Sequence, residues 1–381
     1  MSSRSRWQGL AEHRLSRRYL LRAGAAAGLG VASLALSSCA GGEKEGASVT
    51  VAPTREPPRP TPPPGPYVET ATGPVSTSDL GFTLMHEHIF TLSEGVAANF
   101  PSVWDEETRK REAVEVLSRL KDRGVSTLVD PTVLGSGRNV PLIQQIARES
   151  GMQVIVATGL FTYGELPYYF QTRSVDHMAD LFVQDITEGV QGTSVRASVL
   201  KCATDNPGVT PGVEKVLRAV AKAHRRTGVP ITTHTEAKSQ QGLAQQDVFE
   251  SEGVDLSRVI IGHSGDSEDI DYLTKLLKRG SYIGMDRFGL DVYLPTDKRV
   301  AMVARLCEMG YAERMVLSQD AAVYTDSFTP EILQALGANW NHFHILDNVL
   351  PALRQAGVSE QQIRTMTVEN PRRIFENVSS Y

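Results

Sequence analysis

Gly81-Phe82-Thr83-Leu84-Met85-His86-Glu87-His88-Ile89 is an apolar run that ends in two histidines one residue apart. It reads as a buried strand. Side chains i and i+2 of a strand leave the same face. The His86 and His88 imidazoles are therefore expected on one face, about 7 Å apart along the chain, a gap one metal ion bridges once the rings turn inward. Glu87 points the other way. A bare His-x-His is a short motif that two ordinary histidines near a strand end also satisfy, so the remaining sequence has to decide between the two readings.

Working outward, short β-branched apolar runs alternate with helical stretches such as Glu106 to Arg123 and Gly212 to Thr227. The runs are Phe82 to His88, Thr127 to Pro131, Gln153 to Gly159, Arg196 to Ala203, Pro230 to His234, Val259 to His263, Tyr282 to Asp286 and Met315 to Asp320. Strands alternating with helices predict a parallel β/α architecture. The competitor is a doubly wound open sheet, but no glycine-rich phosphate fingerprint follows the first strand. The expected fold is a (β/α)8 TIM barrel over residues 75–381, long enough for the roughly 250 residues such a barrel takes.

Chemistry-bearing residues stand at the ends of these runs. His86 and His88 close the first, His234 the fifth, His263 the sixth and Asp320 the eighth, while the fourth carries Lys201 in Ser198-Val199-Leu200-Lys201-Cys202-Ala203. Active sites of barrels are built at the C-terminal strand ends. A lysine inside an apolar strand is costly unless it is paired or modified, or unless it snorkels to the barrel rim. A neutral lysine buried beside a metal reacts instead with carbon dioxide, and the carbamate has two oxygens that bridge two cations. With His86, His88, His234, His263 and Asp320 it completes the donor set of a two-metal hydrolytic site.

The order His-x-His, Lys, His, His, Asp on successive strands resembles the amidohydrolase superfamily. More narrowly, the chain resembles the phosphotriesterase family and its phosphotriesterase-like lactonases. The match is carried by Gly81 to His88, Val129-Asp130-Pro131-Thr132, Gly135-Ser136-Gly137-Arg138, Ala157-Thr158-Gly159-Leu160, Ile261-Gly262-His263-Ser264-Gly265-Asp266 and Glu369-Asn370-Pro371-Arg372-Arg373. The resemblance runs from about Thr77 to the C-terminus. It implies a binuclear centre in which His86, His88 and Asp320 hold one divalent ion, His234 and His263 hold the other, and a carboxylated Lys201 bridges them. It implies that a bridging hydroxide attacks a carbonyl or phosphoryl centre, with Asp320 taking up the proton, and that the protein is a homodimer. Zinc is the expected metal; iron, cobalt and manganese suit the same donors.

The surroundings lean toward lactones. Gly284-Met285-Asp286-Arg287-Phe288-Gly289-Leu290-Asp291 resembles the lactonase branch, with Arg287 where the phosphotriesterases proper have His. Arg287 is expected to donate to an ester oxygen, the other reading being an ion pair with Asp266 or Asp286. Phe161 departs from the pattern: lactonases carry Tyr there, and Tyr163 stands two residues on. That departure weakens the case for acyl-homoserine lactones and leaves other lactones, esters and organophosphates open. Trp340, in the apolar segment 321–341 after the last strand, is expected in the pocket wall. His342 and His344 are expected to be structural or surface residues.

The N-terminus places the domain. Ser16-Arg17-Arg18-Tyr19-Leu20-Leu21-Arg22 is a twin-arginine pattern, and the apolar stretch from Ala23 to Leu36 is shorter than a membrane span and suits a signal peptide. Leu36-Ser37-Ser38-Cys39 resembles a lipobox, so residues 1–39 are expected to direct export and leave a lipidated Cys39 as membrane tether; an anchor that is never cleaved is the plainer reading. Residues 40–74, with their prolines, are expected to be an extended tether. Cys202 and Cys307 are expected to be free. A formal net charge of -5 on 381 residues gives no reason to expect nucleic acid. Three readings stand in order: a metal-dependent lactonase with side phosphotriesterase activity, a dedicated phosphotriesterase or carboxylesterase, and a non-catalytic ligand-binding surface lipoprotein, which would have two lobes.

Overall fold

The structure, a computed structural model, describes residues 59–376 and 378–381. The twin-arginine segment, Cys39 and the tether up to residue 58 lie outside the described residues. The described chain opens on an antiparallel hairpin, β1 (Tyr67–Thr70) and β2 (Gly73–Ser76). Then follow β3 (Phe82–Leu84), β4 (His88–Thr91), β5 (Val125–Asp130), β6 (Gln153–Gly159), β7 (Val199–Thr204), β8 (Ile231–Thr235), β9 (Val259–Ile261), β10 (Tyr282–Met285), β11 (Met315–Leu317) and β12 (Ala322–Thr325).

Eight of these strands form one parallel sheet in the order β11-β10-β9-β8-β7-β6-β5-β3, with helices in the crossovers. This is the expected (β/α)8 barrel. Strand alternation sorts the side chains. Val129, Ile155, Ala157, Val199, Ile260 and Val316 fill the lumen, while their neighbours Leu128, Val154, Val156, Leu200, Met315 and Leu317 pack into the surrounding layer. Lys201 shares the parity of Val199 and so faces the lumen, one step nearer the mouth. The helices follow their own period. Pro211–Thr227 starts at Thr210, whose hydroxyl accepts from the Val213 N–H, and ends at Gly228 with φ 76. Val213, Val216, Leu217, Val220 and His224 on one face are buried. Cys202 and Cys307 are buried and free.

Several boundaries differ from expectation. The expected tether reaches residue 74, but the folded domain already includes the hairpin. Val68 packs into the lumen cluster with Phe375, the Glu69 N–H donates to Ser198 Oγ at 3.1 Å, and the Ala71 N–H donates to Val154 O at 2.7 Å. Ser198 and Val154 lie at the N-terminal ends of β7 and β6, so the hairpin caps the bottom of the barrel. The proline-rich composition before Tyr67 hides this short pair of strands.

The second difference is at the histidines. The run Phe82 to His88 is not one strand: β3 stops at Leu84 and β4 starts at His88. Between them the backbone turns to whichever neighbour offers a partner. The Met85 N–H reaches Leu317 O at 3.5 Å, the His86 N–H donates to Ser318 Oγ at 2.9 Å, and the Glu87 N–H donates to Val129 O at 3.0 Å. The barrel therefore closes between β3 and β11 through single contacts rather than a ladder. Above this seam β4 and β12 pair in parallel, with Ala322 opposite His88. The runs ending in His263 and Asp320 are also shorter as strands than expected. Both residues sit just past the ladder with left-handed φ of 57 and 53.

Gly159 shows how tightly the mouth is built. Its φ is 139, and a Cβ there would lie 1.9 Å from the carbonyl oxygen of Lys201. Gly159→Ala is expected to destabilise the fold by at least about 2 kcal/mol, through backbone strain and overpacking. A thermal midpoint equal to the parent's would contradict this.

Candidate metal centre

His86, His88, Lys201, His234, His263, Arg287 and Asp320 all border one cavity of about 380 Å³ at the C-terminal end of the barrel. The Asp320 carboxylate stands in the middle. Its Oδ1 is 3.5 Å from His86 Nε2 and 3.3 Å from His88 Nε2. Its Oδ2 is 3.7 Å from His263 Nε2 and accepts from Arg287 Nε at 2.9 Å. Lys201 Nζ lies 2.8 Å from His86 Nε2, and His234 stacks edge-on to His263 with ring centroids 4.6 Å apart.

Each imidazole has a polar group behind it, hydrogen-bonded for His88, His234 and His263 and close by for His86. His86 Nδ1 and His263 Nδ1 lie 3.3 and 3.0 Å from the two oxygens of the buried Asp286 carboxylate. His88 Nδ1 is 2.7 Å from Thr132 Oγ1, and His234 Nε2 is 2.8 Å from Asp205 Oδ2. A partner on one ring nitrogen fixes the tautomer and turns the other nitrogen inward as a ligand. By this logic Nε2 of His86, His88 and His263 and Nδ1 of His234 face the centre. The sequence reading missed this outer row as a row. Asp286, Asp205 and the Asp130-Pro131-Thr132 triplet all lie at or just after strand ends, the one signal that could have found them.

Charge follows from burial. Asp320 is held well below the usual carboxylate range: burial alone would raise it, but His263, His88, His86 and Arg287 outweigh that. Burial lowers His263 well below its ordinary value and His234 to about 4, so both rings are neutral donors. Burial also brings Lys201 down to about 8. His88 goes the other way. Burial opposes its charge, but hydrogen bonds that it donates to Asp130 and Asp320 prevail and push it up to about 9.

The donor set fits divalent metal. His86, His88 and Asp320 bring ligand atoms within 4.8 Å of one another. Imidazole nitrogens and a carboxylate at that spacing suit zinc, iron, cobalt or manganese. Lys201 is buried with its amine against an imidazole nitrogen, and among the described residues no carboxylate lies within 4.0 Å of it. A side chain so placed suits carboxylation better than a permanent ammonium.

The pocket residues also lie here. Phe161 and Tyr163 set their rings 5.4 and 5.2 Å from that of His234. Trp340 donates from its indole to Asp320 O at 2.9 Å and packs near Phe328. Arg287 pairs with Asp266 at 3.1 Å as well as with Asp320, and Asp286 serves the histidines instead. His342 and His344 are buried structural residues, on His88 O and Thr296 Oγ1.

A (β/α)8 barrel whose mouth gathers imidazoles, a carboxylate and a lysine is the framework of a hydrolase. The model of the phosphotriesterase family matches residues 66–375. The chain is 52% identical over 324 residues to the phosphotriesterase homology protein of Mycobacterium tuberculosis, covering 83% of this chain and 99% of that one. It is 42% identical over 303 residues to the aryldialkylphosphatase of Saccharolobus solfataricus, covering 79% and 96%. The solved structure of the phosphotriesterase from Mycobacterium tuberculosis superposes with a TM-score of 0.81 at 52% identity, over 83% of this chain and all of that one. The chain belongs to the phosphotriesterase family of hydrolases.

The titration pattern gives a test. In metal-free protein His88 keeps its proton up to about 9 and Lys201 up to about 8. A cation must displace those protons. Apparent zinc affinity is therefore expected to rise with pH until about 9, and zinc added at neutral pH to release protons in unbuffered solution. An affinity flat over that range would contradict the assignment. Asp286→Asn, which loosens two imidazoles at once, is expected to weaken metal binding by about 10- to 100-fold.

Proposed function

We propose that this hydrolase is a lactonase that cleaves phosphotriesters as a side reaction. The observation that carries the reading is the pairing of Arg287 with an apolar wall over the metal centre. Arg287 uses Nε on Asp320, Nη1 on Asp266 and Nη2 on His234 Nδ1 at 3.4 Å, and it borders the same cavity as Leu92, Phe161, Tyr163, Phe328 and Trp340. A guanidinium has five N–H donors, so N–H groups remain for the oxygens of a lactone ring while the wall takes its hydrocarbon part.

In this reading His86, His88 and Asp320 would hold one divalent ion, His234 and His263 the other, and Lys201 would be their shared ligand as a carbamate. The carbamate forms when neutral Nζ bonds to the carbon of carbon dioxide and releases a proton to solvent. Divalent ions held there, zinc first among the candidates, would supply Lewis-acid activation of water and of the carbonyl or phosphoryl oxygen. Asp320, ionised and poor in affinity for protons at rest, accepts the proton that hydrolysis frees and passes it to the leaving group. Arg287 steadies the substrate, and the aromatic wall excludes water. A dedicated phosphotriesterase is the second reading, favoured by the relative that is called an aryldialkylphosphatase. We also read the twin-arginine pattern and Cys39 as export and lipid tethering, so that the enzyme works outside the cytoplasm. Lysines in place of Arg17 and Arg18 are expected to hold it inside, and unchanged export would contradict that route.

The test is kcat/KM for protein loaded with zinc or cobalt in bicarbonate. The panel is acyl-homoserine lactones, plain γ- and δ-lactones, aryl esters and an aryl phosphotriester, with His86→Asn as blank. Lactones are expected to lead, and a leading phosphotriester would favour the second reading. Phe161→Tyr is expected to raise the rate on acyl-homoserine lactones about tenfold, the worth of one hydrogen bond.

A further inference from the structure

Glu87 stands between two of the candidate ligands and has no part in the chemistry above. Its side chain leaves the mouth and is fully buried. A buried carboxylate survives only where hydrogen bonds replace its water. Oε1 accepts from the Ser318 hydroxyl at 2.8 Å, the Gln319 N–H at 2.7 Å and the Gln319 side-chain amide at 3.2 Å. Oε2 accepts from the Ala321 N–H at 3.0 Å.

These donors flank Asp320 on both sides. Asp320 itself has φ 53, a conformation a residue with a side chain keeps only where its surroundings over-determine it. Two backbone N–H groups, one before Asp320 and one after it, converge on the two oxygens of a single carboxylate. The same group reaches the histidine side. The Ser318 hydroxyl that donates to Glu87 accepts from the His86 N–H at 2.9 Å. The Asp320 N–H donates to His86 O at 3.1 Å, and the His88 N–H donates to Ala321 O at 2.8 Å. Segments 86–88 and 318–321 are thus one cross-linked unit with Glu87 at its centre.

We propose that Glu87 is a positioning residue of the metal centre: its carboxylate, through Ser318 and the backbone N–H groups of Gln319 and Ala321, sets the left-handed turn that aims Asp320 at His86 and His88. The inference rests on the metal reading given above. Four donors point at its two oxygens, so the amide of glutamine cannot replace it: the NH2 would face an N–H donor on one side.

The experiment uses the full chain, Glu87→Gln and Ser318→Ala, each loaded with cobalt. Visible absorption reports ligand geometry, the rate of stripping by a chelator reports how firmly the ions are held, and kcat and KM on the best lactone report the reaction. Thermal midpoint is measured beside them. Glu87→Gln is expected to shift the cobalt bands, to lose metal about 10- to 100-fold faster, and to lower kcat by about tenfold or more with KM nearly unchanged. Ser318→Ala is expected to move all three in the same direction by less. A variant that loses thermal stability but keeps the parent's bands, stripping rate and kcat would make Glu87 merely structural and overturn the proposal. Where Glu87→Gln does not fold, Ser318→Ala decides on the same readouts. A parent chain that takes up no cobalt would refute the metal reading and this inference with it. A parent that binds cobalt beside variants identical to it would refute this inference alone.

Discussion

Asp320 carries a buried negative charge that the rest of the mouth is arranged to keep. Removed from water, a carboxylate needs donors or cations on both oxygens. Arg287 donates to one oxygen, and the inward ring nitrogens of His86, His88 and His263 stand 3.5, 3.3 and 3.7 Å from the pair, at the spacing of ligands that share an ion. Behind these groups and His234 stands a ring of acids: Asp286 behind His86 and His263, Asp205 behind His234, Asp130 with Thr132 behind His88, and Asp266 behind Arg287. Asp266 is anchored in turn by the buried Arg299 at 2.6 Å.

This arrangement conflicts with regular strand pairing, and the chain yields at the seam. A continuous ladder between the first and last barrel strands would leave no room for a turn at Met85–Glu87 or for the left-handed Asp320. Side chains from Glu87, Ser318 and Gln319 supply the cross-links instead, and β4 with β12 resumes pairing above. The bottom of the barrel, by contrast, is ordinary core, closed by Ile374, Phe375 and the β1–β2 hairpin. Local strain at the mouth is carried by a well-packed scaffold below it.

Much of this was legible in the sequence. The alternation of apolar runs and helical stretches pointed to the barrel, and ligand-type residues at the ends of four runs, with Lys201 inside a fifth, pointed to the site. Lys201 stood out because a cation in an apolar strand needs a reason. What the sequence hid depends on tertiary partners. Nothing local in Met85-His86-Glu87 announces that its N–H groups turn to Leu317, Ser318 and Val129. The strand period wrongly carries through it, although the two imidazoles still end with ring centroids 5.7 Å apart. Asp205 and Asp286 look like any acids after a strand until the fold sets them behind a histidine. The hairpin at Tyr67 is masked by the prolines before it.

The two-metal centre proposed here has Lys201 as the ligand shared by both ions. Its most direct test is to load the metal-free chain in carbon-13 bicarbonate, count the ions by elemental analysis, and look for a carbamate carbon by nuclear magnetic resonance with zinc as the metal. The account predicts two ions per chain and one labelled carbamate that is absent from Lys201→Met. Two ions bound tightly with no carbamate signal, or no stoichiometric metal after loading, would contradict it.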